Sequence, residues 1–141
     1  MKLFVLLLCC VAPVACLAQV DSTLLDRSTR MNQSGCRQVY WVEQADNCAA
    51  ATSLAERDVR ANTPFLILSS GEAPVMFTTD AAFEKRFKAE YYEMGCIAPP
   101  AACALAYNCR IFDYLQATYG KTWQRQVRKD VIGLKEWKRQ H

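Results

Sequence analysis

The chain has 141 residues, 52% of them apolar and 22% charged, with eight cysteines, one histidine and a net charge of +3. That length supports one compact domain and leaves no room for separate cofactor and substrate domains. An ordinary apolar fraction, five glycines and five prolines exclude a disordered or low-complexity chain.

Lys2 precedes a short apolar run from Leu3 to Ala18, the shape of a secretory signal. Pro13 interrupts the run, which is shorter than the ~20 residues that a membrane-spanning helix needs. Cys16-Leu17-Ala18 puts small residues at the −3 and −1 positions of a cleavage site. We therefore expect residues 1–18 to be a signal peptide, with the mature chain starting at Gln19. The alternative is a lipoprotein signal anchored through Cys16. Both place the protein outside the cytoplasm, periplasmic or secreted, and no second apolar run of membrane length follows.

Residues 19–35 are polar and read as a flexible arm, with at most a helical turn around Leu24 and Leu25. A single α/β domain is expected over 36–141. Residues 38–43 (QVYWVE) are β-branched and aromatic and read as a first strand. Asp46 or Asn47 would cap a helix that runs to about Asn62 and is stopped by Pro64. Its stripe is Cys48, Thr52, Ala55 and Val59. Phe65-Leu66-Ile67-Leu68 is a continuous apolar run, suited to a strand covered on both faces.

A turn follows at Gly71 to Pro74, and Val75 to Phe77 reads as a short edge piece. Thr78-Thr79-Asp80 opens a helix whose buried face carries Phe83 and Phe87. Residues 91–97 read as a third strand. Pro99 and Pro100 start a long helix to Tyr119, with Gly120 as its left-handed cap. A last helix is expected from about Thr122 to Arg139. The order predicts a small α/β domain: a three-stranded, mostly parallel sheet with flanking helices and two C-terminal helices.

Five cysteines follow the signal: Cys36, Cys48, Cys96, Cys103 and Cys109. Export permits disulfides, and an odd number leaves at least one thiol over. The favoured bridge is Cys96–Cys103, around Pro99 and Pro100, with Cys36–Cys48 second. No C-x-x-C occurs and no zinc spacing is present, so no metal site and no cofactor are expected.

Residues 121–141 hold seven bases (Lys121, Arg125, Arg128, Lys129, Lys135, Lys138 and Arg139) against Asp130 and Glu136. On one helix, Trp123, Val127, Val131, Leu134 and Trp137 would form an apolar stripe. Lys121, Arg125, Arg128, Lys129, Lys135 and Arg139 would lie opposite, as a face for an anionic surface. The plainer alternative packs the tryptophans on the core and leaves the basic face solvated. Nucleic acid is an improbable partner for an exported chain with no aromatic residue on that face.

His141, the one histidine, is the last residue, so Ser–His–Asp and Cys–His mechanisms lack a positioned base. No phosphate-binding glycine loop is present. Glu90 and Glu93 are the carboxylates to weigh for hydrolysis, but residues three apart in a strand point to opposite faces.

Three stretches carry a resemblance: FEKRFKAEYYEMGCI, YNCRIFDYLQATYGKTW and RKDVIGLKEWK. Over about residues 64–140 the chain resembles small exported proteins of unassigned function that recur in Bacteroidota. The resemblance implies export and a shared fold unit, and it brings no activity with it. Gly95-Cys96 and Tyr107-Asn108, taken as a signature, would either line a site or fix a turn and a helix contact. The expected function is a non-catalytic domain that binds an envelope protein, an anionic glycan or a lipid surface. The alternatives are a protein-partner inhibitor or adaptor anchored by Tyr91, Tyr92, Trp123 or Trp137, and a small carboxylate-dependent hydrolase.

Overall fold

A computed structural model describes residues 22–42, 48–69, 71, 73–93, 95 and 101–141. The elements are α1 (Ser22–Gln33), α2 (Gly35–Gln38), α3 (Ala49–Arg60), β1 (Phe65–Ile67), α4 (Asp80–Phe87), β2 (Glu90–Tyr92), α5 (Ala101–Tyr119), a 3₁₀ helix (Gly120–Arg125) and α6 (Leu134–Gln140). Helices thus surround one parallel pair of strands, in which Phe65 faces Glu90, Leu66 faces Tyr91 and Ile67 faces Tyr92. The α/β class stands, but the sheet has two strands among the described residues rather than three.

The missing strand is the expected first one. Residues 38–42 do not extend, because the chain is wound into α2, and Glu43 lies outside the described residues. Ser34 caps α2, its Oγ accepting from the Arg37 N–H at 3.2 Å. Buried Asp58 on α3 accepts from the Gly35 and Cys36 N–H groups at 2.7 and 3.0 Å. Those are first-turn amides with no partner inside a helix, so capping outweighs the β-propensity of Val39-Tyr40-Trp41. Gly35 is required here: a Cβ would lie 2.6 Å from the Leu54 carbonyl oxygen, so α2 meets α3 backbone to side chainless backbone. Tyr107 on α5 donates to the same Asp58 at 2.6 Å.

The polar stretch expected as a flexible arm is instead helix α1 over Ser22–Gln33. Ion pairs hold it to the sheet. Arg27 donates to both carboxylate oxygens of Glu84, at 3.2 and 3.1 Å, and to the Tyr91 carbonyl at 3.1 Å. Arg30 reaches Glu90 at 2.6 Å. A low apolar content hid this helix, because its docking rests on charge as much as on burial.

The middle of the chain follows the sequence closely. Phe65 to Leu68 are all buried, as a strand covered on both faces requires. The expected edge piece at Val75 to Phe77 is irregular and forms no strand. On α5, buried Cys103, Tyr107, Ile111 and Leu115 trace the four-residue repeat of one helix face. Gly120, at φ +62°, provides the left-handed end.

The single C-terminal helix expected over 122–139 does not form. The 3₁₀ helix ends at Arg125, and the chain then runs beside the outer edge of β1. Leu68 and Val131 form an antiparallel bridge, Ser69 N–H donates to the Asp130 carbonyl at 2.7 Å, and Ile132 N–H to the Ile67 carbonyl at 3.0 Å. A buried strand edge with free amides is costly, and one continuous helix would leave it bare. Gly133, at φ +80°, turns the chain into α6. The apolar stripe still reaches the core: Trp123, Val127, Val131, Leu134 and Trp137 are all buried. Phe112 stacks on Trp123 at 5.6 Å and meets Trp137 at 5.7 Å.

The expected cysteine pairings are also corrected. Cys48, just before α3, bonds to Cys103 on α5 across 55 residues. Cys103 is therefore not bridged to Cys96, which lies outside the described residues, and Cys36 is free and buried rather than bonded to Cys48. The expected helix cap at Asp46 or Asn47 and the residues of the signal lie outside the described residues too. Among those described, no helix is long and apolar enough to cross a membrane.

Candidate binding edge at Val75 to Phe77

Between β1 and α4 the chain carries three successive large apolar residues on the surface. Met76 is 86% exposed, Phe77 52% and Val75 49%. Their backbone is pinned from below. Val75 N–H donates to Glu93 Oε2 at 3.2 Å, and the Val75 carbonyl accepts from Arg128 Nη1 at 2.6 Å. Phe77 N–H donates to Asp80 Oδ2 at 2.9 Å, and the Phe77 carbonyl accepts from the Asp80 N–H at 3.0 Å. The backbone polar groups of Val75 and Phe77 are thus satisfied within the domain, which fixes the edge, while the three side chains are exposed.

Arg128 is the keystone. Its side chain is only 7% exposed. It donates to Asp80 Oδ2 at 3.0 Å and to both oxygens of Asp130 at 3.0 and 2.5 Å. Its guanidinium lies 4.7 Å from the centre of the Phe77 ring and 5.6 Å from that of Tyr91. Hydrogen bonding to Asp130 raises the Arg128 pKa further, and the same bonds hold the Asp130 carboxyl below its ordinary range. The Tyr91 hydroxyl accepts from the Arg128 N–H at 3.1 Å, and burial keeps that phenol protonated well beyond its usual range.

A cleft of about 450 Å³ opens on one side of the edge, with Met31, Leu68, Tyr91, Tyr92 and Glu93 among its walls. A shallower depression of about 390 Å³ lies on the other side, between Phe77, Thr79, Gln126 and Lys129. Most of the cleft's charges are paired, Arg27 with Glu84 and Arg128 with Asp80, while Glu93 accepts from the neutral Val75 N–H. Its chemistry is thus apolar contact with a satisfied polar rim, rather than proton transfer.

The residues singled out by sequence fall elsewhere. Of the expected basic face, Arg128 is buried in its ion pairs and Arg139 lies near Glu136 at 3.7 Å. Lys121, Arg125, Lys129 and Lys135 are exposed but belong to separate segments instead of one helix. Tyr91, Tyr92, Trp123 and Trp137, weighed as anchors for a partner, are buried in the core. Glu90 is taken up by Arg30 and Arg27, and Glu93 by the Val75 N–H, so the two carboxylates do not form an acid–base pair. Tyr107 and Asn108 are buried packing and hydrogen-bonding residues, not the lining of a site.

Burial pushes the Cys36 thiol up, and Asp58 adds to the effect. The half-buried Cys109 thiol is likewise raised, by burial first and then by Asp113 and Glu136. Neither is a thiolate nucleophile at neutral pH. No group of three or more metal-ligating side chains occurs among the described residues.

Sequence reasoning read Val75 to Phe77 as a short edge piece and missed that it is an exposed surface tip. The available signal was a run of three apolar residues between Pro74 and Thr78 without the length or alternation of a strand. Comparison with protein-family models, curated proteins and solved structures finds no match, so the reading of this surface rests on its own geometry.

Proposed function

We propose that the protein is an exported, non-catalytic binding domain of the cell envelope, and that it engages its partner through the edge at Val75 to Phe77. The carrying observation is the exposure of three neighbouring apolar side chains on a pinned backbone; among the described residues the one other exposed large apolar side chain is the isolated Trp41. Water-facing apolar residues scattered singly are ordinary, whereas a contiguous cluster marks a contact surface. The Cys48–Cys103 disulfide is compatible with an oxidising compartment. The apolar run after Lys2, ending at Ala18, supports cleavage before Gln19.

The test is fractionation of cells carrying the native chain or a variant with Val75→Ser, Met76→Ser and Phe77→Ser. The native chain should travel with the envelope fraction with a mass that starts at Gln19, and the variant should be released in soluble form. Retention of the variant in the envelope, with its fold intact, removes the edge as the contact. A mass that still includes the first eighteen residues removes the proposed signal cleavage.

A further inference from the structure

Resting on that reading, we propose that the partner is the surface of an anionic lipid bilayer, entered by Val75, Met76 and Phe77 and held by Arg86 and Lys129.

Three observations favour lipid over a peptide or a glycan. The first is the backbone. A peptide that adds to a strand edge needs free amides and carbonyls to pair with. Here the N–H and carbonyl of Val75 and of Phe77 are all used by Glu93, Arg128 and Asp80. Those same internal bonds spare four of the six backbone polar groups of the three residues from entering the acyl boundary bare, and leave only those of Met76 for an outside partner.

The second is side-chain type. Met, Phe and Val offer no hydrogen bonds to sugar hydroxyls, and the most exposed of them, Met76, is a flexible apolar tip.

The third is charge. Lys129 shares the depression beside Phe77. Gln126 in the same depression accepts from Arg86 Nη1 at 3.5 Å. Arg86 and Lys129 are exposed, while the charge of Arg128 is matched by Asp80 and Asp130. An apolar tip bordered by exposed cations is complementary to lipid headgroups that carry negative charge.

The measurement is co-sedimentation of the mature, disulfide-bonded protein with vesicles. Vesicles of equimolar phosphatidylglycerol and phosphatidylcholine should bind it, and phosphatidylcholine alone should bind about tenfold less. Added salt should weaken the binding. Met76→Ser should lower partitioning by roughly tenfold or more with the melting temperature unchanged, because the side chain has little to lose on the folded surface. Lys129→Glu should lower binding to the anionic vesicles and leave binding to phosphatidylcholine alone unaltered. Equal binding to both vesicle types, or none to either, overturns the proposal.

A photo-crosslinking side chain at position 76, activated in intact envelopes, separates this inference from the reading beneath it. Adducts with lipid support both. Adducts with a protein, a glycan or a second copy of the chain overturn the lipid assignment and keep the edge as a contact. No adduct at all removes both.

Discussion

Arg128 donates from Nη1 to Asp80 Oδ2 at 3.0 Å, tying the turn beyond the 3₁₀ helix to the first residue of α4. The contact also fixes the exposed edge, since Asp80 Oδ2 accepts from the Phe77 N–H and Arg128 Nη1 donates to the Val75 carbonyl. Asp80 Oδ1 is buried without a hydrogen-bond donor, so this carboxylate depends on Arg128 for its compensation. Arg128→Met strands it, and removal of one partner from a buried pair costs about 3–5 kcal/mol. Urea unfolding should register a loss of that order, and combining Arg128→Met with Asp80→Asn should recover part of it. A loss below about 1 kcal/mol would mean that the pair behaves like an exposed salt bridge.

Asp130 gives the same cluster a pH dependence. Hydrogen bonds from Arg128 lower its pKa from 3.8, so it holds fewer protons folded than unfolded. The stabilisation is therefore present above the unfolded value and is lost as pH falls through the folded one. More than a third of the Asp130 side chain is exposed, which keeps the effect small through solvent screening. Asp130→Asn should be slightly less stable than the native chain near neutrality, and the gap should close on acidification below about pH 4. A gap that stays constant across a pH series of unfolding curves would show that Asp130 titrates alike in both states.

The Cys48–Cys103 bridge joins the start of α3 to α5 and closes a loop of 55 residues. Chain-entropy arguments put its stabilisation at about 4 kcal/mol, within the ~2–5 kcal/mol that removal of a native bridge costs a small exported domain. Paired Cys48→Ser and Cys103→Ser should lower the unfolding free energy by that order, with helical circular dichroism retained at low temperature. Non-reducing peptide mapping should recover the Cys48 and Cys103 peptides as one species, and Cys36 should resist alkylation until the protein unfolds. Alkylation of Cys36 in the folded chain would contradict its burial.

What the sequence reveals of this fold follows the kind of force at each place. Phe65 to Leu68 and the α5 stripe are legible because a local apolar period encodes their burial. The C-terminal stripe is legible for the same reason, since Trp123, Val127, Val131, Leu134 and Trp137 are all buried although the helix that suggested them is broken. Helix α1 and the turn of α2 are not legible, because their partners (Glu84, Glu90 and Asp58) lie far along the chain. The pairing of Cys48 with Cys103 is hidden likewise, as spacing alone favours the nearer Cys96. The triplet at Val75 to Phe77 was read as a strand piece for a subtler reason. An apolar triplet has the same composition whether it is a strand or a surface tip, and only the bonds of Arg128, Asp80 and Glu93 decide it.

Asn108 performs the work that a further strand on this edge of β1 would do. Its Oδ1 accepts from the Ile67 N–H at 2.9 Å, and its Nδ2 donates to the Ile67 carbonyl at 2.8 Å and the Ile132 carbonyl at 2.9 Å. The side chain thus mimics a strand's alternating donor and acceptor on the edge of β1 that faces away from β2, and joins α5 to the segment before α6. Asn108→Leu keeps the volume but leaves the Ile67 amide and the Ile132 carbonyl without these partners. At about 1–3 kcal/mol for each of these two unsatisfied groups, the loss should be about 2–6 kcal/mol. Asn108→Asp keeps the acceptor for Ile67 but turns two donated bonds into repulsions between a carboxylate and carbonyl oxygens. In that buried site the introduced carboxyl should have a raised pKa, because only its protonated form can donate. A pKa raised on folding opposes stability above the unfolded value, so the deficit of Asn108→Asp against the native chain should be largest at neutral pH and shrink on acidification. Unfolding curves for both variants at neutral and acid pH check this. If Asn108→Asp is no less stable than the native chain at neutral pH, the donated bonds to Ile67 and Ile132 do not hold the strand edge.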